Sequence, residues 1–136
     1  MASNVTTDER GDLISSSRIT DLGPGEIFVF GSNASGHHGG GAARIAHDRF
    51  GAVWGEGRGL HGGSYAIDTM SGLATMTAQI AAFLTFAAEN PDLTFLVTEI
   101  GCGIAGYAPA DVAPAFSGAP SNVALPASFA RIVRGG

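Results

Sequence analysis

Lysine is absent from the 136 residues, and seven arginines stand against twelve carboxylates for a net charge of −5. A sequence-independent grip on nucleic acid needs a basic face, so this balance argues against that class of partner. If the protein holds phosphate, backbone amides must do most of the work. Cysteine is nearly absent as well: Cys102 stands alone and excludes an intramolecular disulfide. With no charged-then-apolar leader at Met1, the expected location is the cytoplasm. No apolar run approaches the roughly 20 residues that a membrane-spanning helix needs, so no membrane partner is expected. Internal repeats and low-complexity tracts are missing too. A chain of this length is expected to form one domain that buries roughly two thirds of its unfolded surface.

Glycine is in excess, at 21 residues with no collagen-like period, while charged residues make up only 14%. The glycines gather in loops after apolar runs, where backbone must come close to a ligand. The densest case is Asn33-Ala34-Ser35-Gly36-His37-His38-Gly39-Gly40-Gly41-Ala42-Ala43-Arg44, directly after Ile27-Phe28-Val29-Phe30. A β-type run that passes through such a loop into an alanine-rich helix aims unpaired N–H groups and a positive helix end at one point. That is an anion site, most often one for phosphate.

Taken in order, residues 1–17 are polar and without periodicity, and read as a flexible lead-in. Ile19 to Leu22 is a candidate short edge strand, and Gly23-Pro24-Gly25 a turn. Glu26 to Phe30 has the continuous apolar pattern of a strand buried on both faces. Ala42, Ile45, Ala46 and Phe50 follow helical spacing, with Gly51 placed to stop the helix. Ser64 to Ile67 reads as a strand. The longest helix runs from about Leu73 to Glu89, with Met76, Ile80, Phe83, Leu84 and Ala87 on one face and Asn90-Pro91 ending it. Leu93 to Thr98 is a second deeply buried strand running into another glycine loop, Gly101 to Tyr107. A helical segment from Pro109 to about Phe116, a strand over 122–126 and a terminal helical turn over 128–133 complete the pattern. Strands alternating with helices predict an α/β fold with a mainly parallel sheet covered on both faces. Ligands of such sheets sit beyond the carboxyl ends of the strands, where both glycine loops begin.

These residues resemble a macro domain, the ADP-ribose-binding fold, and in particular the divergent macro-like group met in phages and bacteria. The likeness spans roughly residues 18–126. It rests on Ile19-Thr20-x-Leu22 leading to Val29-Phe30-Gly31-Ser32-Asn33, on Gly39-Gly40-Gly41-Ala42-Ala43 at a helix start, and on Gly101-Cys102-Gly103-Ile104-Ala105-Gly106-Tyr107-Ala108-Pro109 after a buried strand. It implies a three-layer α/β/α fold with a mainly parallel or mixed central sheet over residues 18–136. It further implies that Asn33 contacts the distal ribose, that Gly31, Ser32 and the first loop from His37 to Ala42 lie along that ribose and the diphosphate, and that the second loop from Gly101 through Gly106 wraps the diphosphate. Tyr107 would pack on the distal sugar or close the mouth of the pocket.

The chain also departs from the family. Arg18 stands where macro domains commonly carry the aspartate that accepts from the adenine amino group, and Ala43 where one hydrolase branch carries an aspartate. The catalytic lysine of another branch has no counterpart, and the Gln-Glu-Glu that accompanies the triple glycine of poly-ADP-ribose glycohydrolases is missing. These departures favour a binding module for ADP-ribose, a related nucleotide-diphosphate sugar or another NAD-derived metabolite, free or carried on an ADP-ribosylated macromolecule. The alternative is an ADP-ribosyl hydrolase, with Asn33 positioning ribose or water and Glu99, Asp68 or a loop histidine moving the proton. A weaker alternative is a Rossmann-type nucleotide phosphoribohydrolase, although the Pro-Gly-Gly followed by Thr and Glu is not found.

The remaining candidates have plainer readings. His37 and His38 are either ligand contacts or a solvent-facing residue and a turn anchor. Glu99 more often caps a loop, and Cys102 more often packs as a small apolar side chain. Adjacent histidines are poorly spaced to chelate together with Cys102, so no metal and no cofactor is expected. His47 reads as a residue on the exposed face of the first helix, Arg58 as a loop tip, and Trp54, Tyr65 and Phe116 as core or rim.

Overall fold

A computed structural model describes residues 3–33, 35–36, 41–52, 57–103 and 105–134. The chain is α/β. Its strands are β1 (Val5–Thr7), β2 (Leu13–Ser15), β3 (Glu26–Ser32), β4 (Gly59–His61), β5 (Ser64–Asp68), β6 (Thr94–Val97) and β7 (Val123–Pro126). They form one mixed sheet in the order β1-β2-β7-β6-β3-β5-β4. The five inner strands run parallel, and β1 and β4 close the two edges antiparallel to their neighbours. The helices are α1 (Gly41–Arg49), α2 (Leu73–Ala88), α3 (Pro109–Val112) and α4 (Ala127–Val133), with a 3-10 turn over Ala113–Phe116.

Successive strand residues point to opposite faces, and the sequence separates the two sides cleanly. Ile27 and Val29 of β3 join Phe95 and Val97 of β6 and Val123 and Leu125 of β7 under α2, α4 and the 3-10 turn. Phe28 and Phe30 join Ala66, Leu96 and Ala124 on the other face, under α1. Helices on both faces of the sheet make a three-layer arrangement, and β3 is buried on both sides as its apolar run predicts. α2 buries Met76, Ile80, Phe83 and Ala87, three or four residues apart. Phe83 centres an aromatic cluster, edge-on to Phe95 at 5.4 Å and tilted against Tyr65 at 5.0 Å. Phe116 packs into the same cluster, and Trp54 lies outside the described residues.

Two sequence expectations are corrected. The sheet begins inside the segment read as a lead-in. β2 pairs with β7, and the buried Ser15 hydroxyl donates to the Val97 carbonyl at 2.7 Å. Asn4 ties β1 inward by donating from Nδ2 to the Asp21 carbonyl and to Glu26 Oε1. Strands of three residues carry too few positions for alternation to show. Ile19 to Leu22, read as an edge strand, is instead a loop whose Ile19 is buried beside Phe28, since β1 and β2 already occupy that edge.

Gly51 stops α1 as expected. At φ +83° it turns the chain out, and the Ala52 N–H reaches back to the Ala46 carbonyl. A Cβ on Gly51 would stand 3.0 Å from the Cα of Gly62, itself at φ +59°, so two glycines let the end of α1 press on the β4–β5 turn. A second junction was not legible in the sequence. Asn122 Nδ2 donates to the carbonyls of Ala87, Asn90 and Leu93 at 2.9–3.0 Å, binding the end of α2 to the entrance of β6 and β7.

Candidate functional site

The topology selects one position for a ligand. From β3 the chain leaves through α1 toward β5 on one side, and from β6 it leaves through α3 toward β7 on the other, yet β3 and β6 are neighbours. Where connections diverge from adjacent parallel strands, their carboxyl ends open a crevice. Here that crevice is a cavity of about 320 Å³. Gly31, Ser32 and Asn33 line it from the end of β3, Ala42 and Ala43 from the first turn of α1, Thr69 and Met70 from the turn after β5, and residues 98–101, Gly103 and Ala105 from the end of β6. The described residues that flank the first glycine loop and those of the second therefore line one cavity.

Close approach depends on glycine at the crossing. A Cβ on Gly31 would stand 3.1 Å from the Thr69 side chain and 3.6 Å from the Gly101 nitrogen. Gly101 itself is buried at φ +76°, where a Cβ would stand 3.0 Å from Met76 Sδ. Within the second loop, three amides are used internally. Cys102 N–H donates to the Glu99 carbonyl, Gly106 N–H to that of Gly103, and Tyr107 N–H to that of Gly101 at 2.8 Å. The amides of Gly101, Gly103 and Ala105 donate to no other described residue, and these three residues line the cavity. Ala42 and Ala43 belong to the first turn of α1, where helical geometry supplies no intrahelical acceptor for N–H groups. Amide donors thus collect around one hollow together with the side chains of Asn33 and Glu99, and no basic side chain stands among the described lining residues.

A larger cavity of about 790 Å³ adjoins the first and shares Ala42, Thr98 and Glu99 with it. Residues 15–20 wall it on one side and Pro126, Ala127 and Ser128 on another; Phe28 and Ile45 add apolar surface. Neither a protein-family model, nor a curated protein, nor a solved structure matches the chain. Assignment of the two cavities therefore rests on their own chemistry.

The candidate residues separate by position. Asn33 is half-buried at the first cavity, and its Oδ1 accepts from the Ser35 hydroxyl at 2.8 Å. Glu99 stands where the two cavities join, and Ser128 Oγ donates to its Oε2 at 2.6 Å. Asp68 is placed differently. It is buried outside both cavities, with one carboxylate oxygen accepting the Met70 N–H at 2.9 Å and the other the Ser71 hydroxyl at 2.5 Å. That carboxylate shapes the turn into α2, and the structure does not bring it to the cavities with Asn33 and Glu99.

Cys102 and Tyr107 also turn away, packing half-buried against the core under α2 rather than lining either cavity. The internal bonds of the loop, Cys102 N–H to Glu99 and Tyr107 N–H to Gly101, go with this division: 101, 103 and 105 line the cavity while 102 and 107 meet the core. Tyr107 thus does not stand at the mouth of the pocket. Burial, reinforced by the carboxylates of Glu99 and Asp111, pushes the Cys102 thiol above its ordinary value, opposite to what a nucleophilic or metal-binding thiolate needs. Gly41 opens α1, and Gly106 turns at φ +80° beside the cavity without lining it. His37, His38, Gly39, Gly40 and Ile104 lie outside the described residues.

Among the described residues no three His, Cys, Asp or Glu side chains gather as a metal site, and no helix is long and apolar enough to cross a membrane. His47 is exposed on α1 beside Asp48, and His61 Nε2 lies 3.2 Å from the Arg58 carbonyl. Residues of the larger cavity were missed by sequence reasoning. Pro126 to Ser128 carry no glycine signal, and only the parallel pairing of β7 between β6 and β2 brings them to the same edge.

Proposed function

We propose that the protein is a macro-like module that binds ADP-ribose or a related nucleotide-diphosphate sugar. The diphosphate would sit in the smaller cavity on the amides of Gly101, Gly103 and Ala105 and the first turn of α1, with the distal sugar toward Asn33 and the nucleoside in the larger cavity. One observation carries this reading: in the second loop, Gly101, Gly103 and Ala105, whose amides donate to no other described residue, line the crevice at the switch point. Converging N–H groups bind phosphate without basic side chains, which suits a chain that has no lysine. The adjoining cavity supplies further space, walled in part by Phe28 and Ile45, for the rest of such a ligand. A cytoplasmic location, where the ligand is available as a free metabolite or on modified macromolecules, fits the single cysteine.

Hydrolysis is the second reading, and the position of Glu99 favours it. A carboxylate at the junction of the cavities, oriented by Ser128, stands where a proton could be moved next to a bound sugar. One experiment separates the two. Incubation with ADP-ribose, followed by a thermal melt and chromatography of the ligand, is expected to give a raised Tm and unchanged ADP-ribose. Cleavage that disappears in Glu99→Gln would replace the binding reading with the hydrolytic one. No shift and no cleavage would remove both.

A further inference from the structure

Among the described residues Arg18 is the only basic one lining either cavity, and it belongs to the larger one. Its backbone is fixed in place. Ser16 Oγ accepts from the Arg18 N–H and donates to the Arg18 carbonyl, both at 3.2 Å, and the next residue, Ile19, is buried 7% exposed beside Phe28. Its guanidinium has no partner among the described residues, whereas Arg44 pairs with Asp48, Arg49 donates to the Thr20 carbonyl and Arg134 to the carbonyls of Leu13 and Val123. The other polar side chains of this cavity are largely committed: Ser15 to Val97, Thr98 to Val29, and Ser128 to Glu99. Glu99, the only carboxylate among the described residues lining it, also lines the smaller cavity and accepts from Ser128.

We infer that the larger cavity is a purine subsite selective for a 6-oxopurine, guanine or hypoxanthine, with Arg18 as the specificity-determining residue. This rests on the nucleotide-diphosphate reading above. A guanidinium fork presents two parallel donors, and the O6 and N7 acceptors of a 6-oxopurine match it. Adenine offers N7 beside an amino group at the same edge, so its donor would face the guanidinium, which no carboxylate pairs among the described residues. The volume takes a bicyclic base, and Phe28, Ile45 and Pro126 supply apolar walls for its faces.

The test is calorimetric titration of the intact protein with GDP-ribose, IDP-ribose and ADP-ribose, on the wild type and on Arg18→Ala and Arg18→Lys. Because the Arg18 side chain is exposed, both variants should fold, which an unchanged Tm verifies. The two 6-oxopurine ligands should bind about fivefold or more tightly than ADP-ribose, the lower end of what a bidentate guanidinium–base pair provides. Arg18→Ala should bring all three within about twofold, and Arg18→Lys, which keeps the charge and loses the fork, should fall between. Equal or tighter binding of ADP-ribose by the wild type, or a preference that survives Arg18→Ala, overturns the assignment and leaves the diphosphate site standing. Failure of all three ligands to bind a folded protein instead removes the nucleotide-diphosphate reading, and the base selectivity with it.

Discussion

Replacing Gly103 by aspartate puts a negative charge at the mouth of the proposed diphosphate site with little else disturbed. Gly103 is exposed, lies outside the left-handed region, and a Cβ there meets no atom within 4 Å, so the substitution carries no steric or backbone cost. A carboxylate about 5 Å from a bound phosphate raises the energy of the complex by roughly 3 kcal/mol at an effective dielectric near 20. Solvent at the open face and ordinary salt reduce that to about 1–2 kcal/mol, or roughly 5- to 30-fold in Kd. Calorimetry with ADP-ribose and with inorganic pyrophosphate reads the change directly. Two controls frame it. Gly103→Ala should bind as the wild type does, and Ala110→Asp, with the same added charge on exposed surface of α3, should weaken binding by less than twofold. Wild-type affinity in Gly103→Asp, or equal weakening in Ala110→Asp, would show that the anion does not sit against this loop.

Gly51→Ala and Gly62→Ala each force a side chain into a left-handed conformation and against backbone at 3.0 Å. Each should cost at least about 2 kcal/mol and lower Tm by on the order of 8 °C, measured by thermal melting. Asp68→Ala removes the acceptor for Met70 N–H and the Ser71 hydroxyl. It should lower stability in urea by about 1–2 kcal/mol while ligand affinity stays within twofold, whereas a large loss of affinity without loss of stability would return Asp68 to the site. The Cys102 thiol is raised in the folded state, first by burial and then by Glu99 and Asp111, so the folded form holds its proton after the unfolded chain has released it. That contribution is complete below the ordinary thiol value of about 8.5 and is lost as pH rises toward the higher folded value. Tyr65 is raised by burial in the same sense at higher pH, so comparison of urea midpoints with Cys102→Ser isolates the thiol. Identical pH profiles would refute it.

The inner sheet was legible because its strands are buried on both faces. Ile27 to Phe30 and Phe95 to Val97 are apolar at every position, and α2 repeats its buried residues at helical spacing. The edges were not. Val5–Thr7, Leu13–Ser15 and Gly59–His61 are three residues each, and what places them is pairing with distant strands rather than any local pattern. For the site, glycine marked the loops, since a close backbone crossing admits no side chain at Gly31 or Gly101. Glycine says nothing about direction, however. Which loop residues face the cavity follows from the internal bonds of the 99–107 turn, and these sent Cys102 and Tyr107 to the core. Asp68 was indistinguishable in sequence from a catalytic carboxylate at a strand's end. Its burial and its two acceptor bonds, which no local pattern announces, place it in the turn into α2.

In the proposed complex, amides from the first turn of α1 and from the second loop serve one anion. Titration of ¹⁵N-labelled protein with ADP-ribose, followed by amide chemical shifts, observes those groups one by one. The amides of Ala42, Ala43, Gly101, Gly103 and Ala105 should move together and saturate at a single Kd, with Cys102 and Tyr107, already bonded within the loop, moving less. Saturable shifts confined to other surfaces, or none at all in these five residues at millimolar ligand, would contradict it.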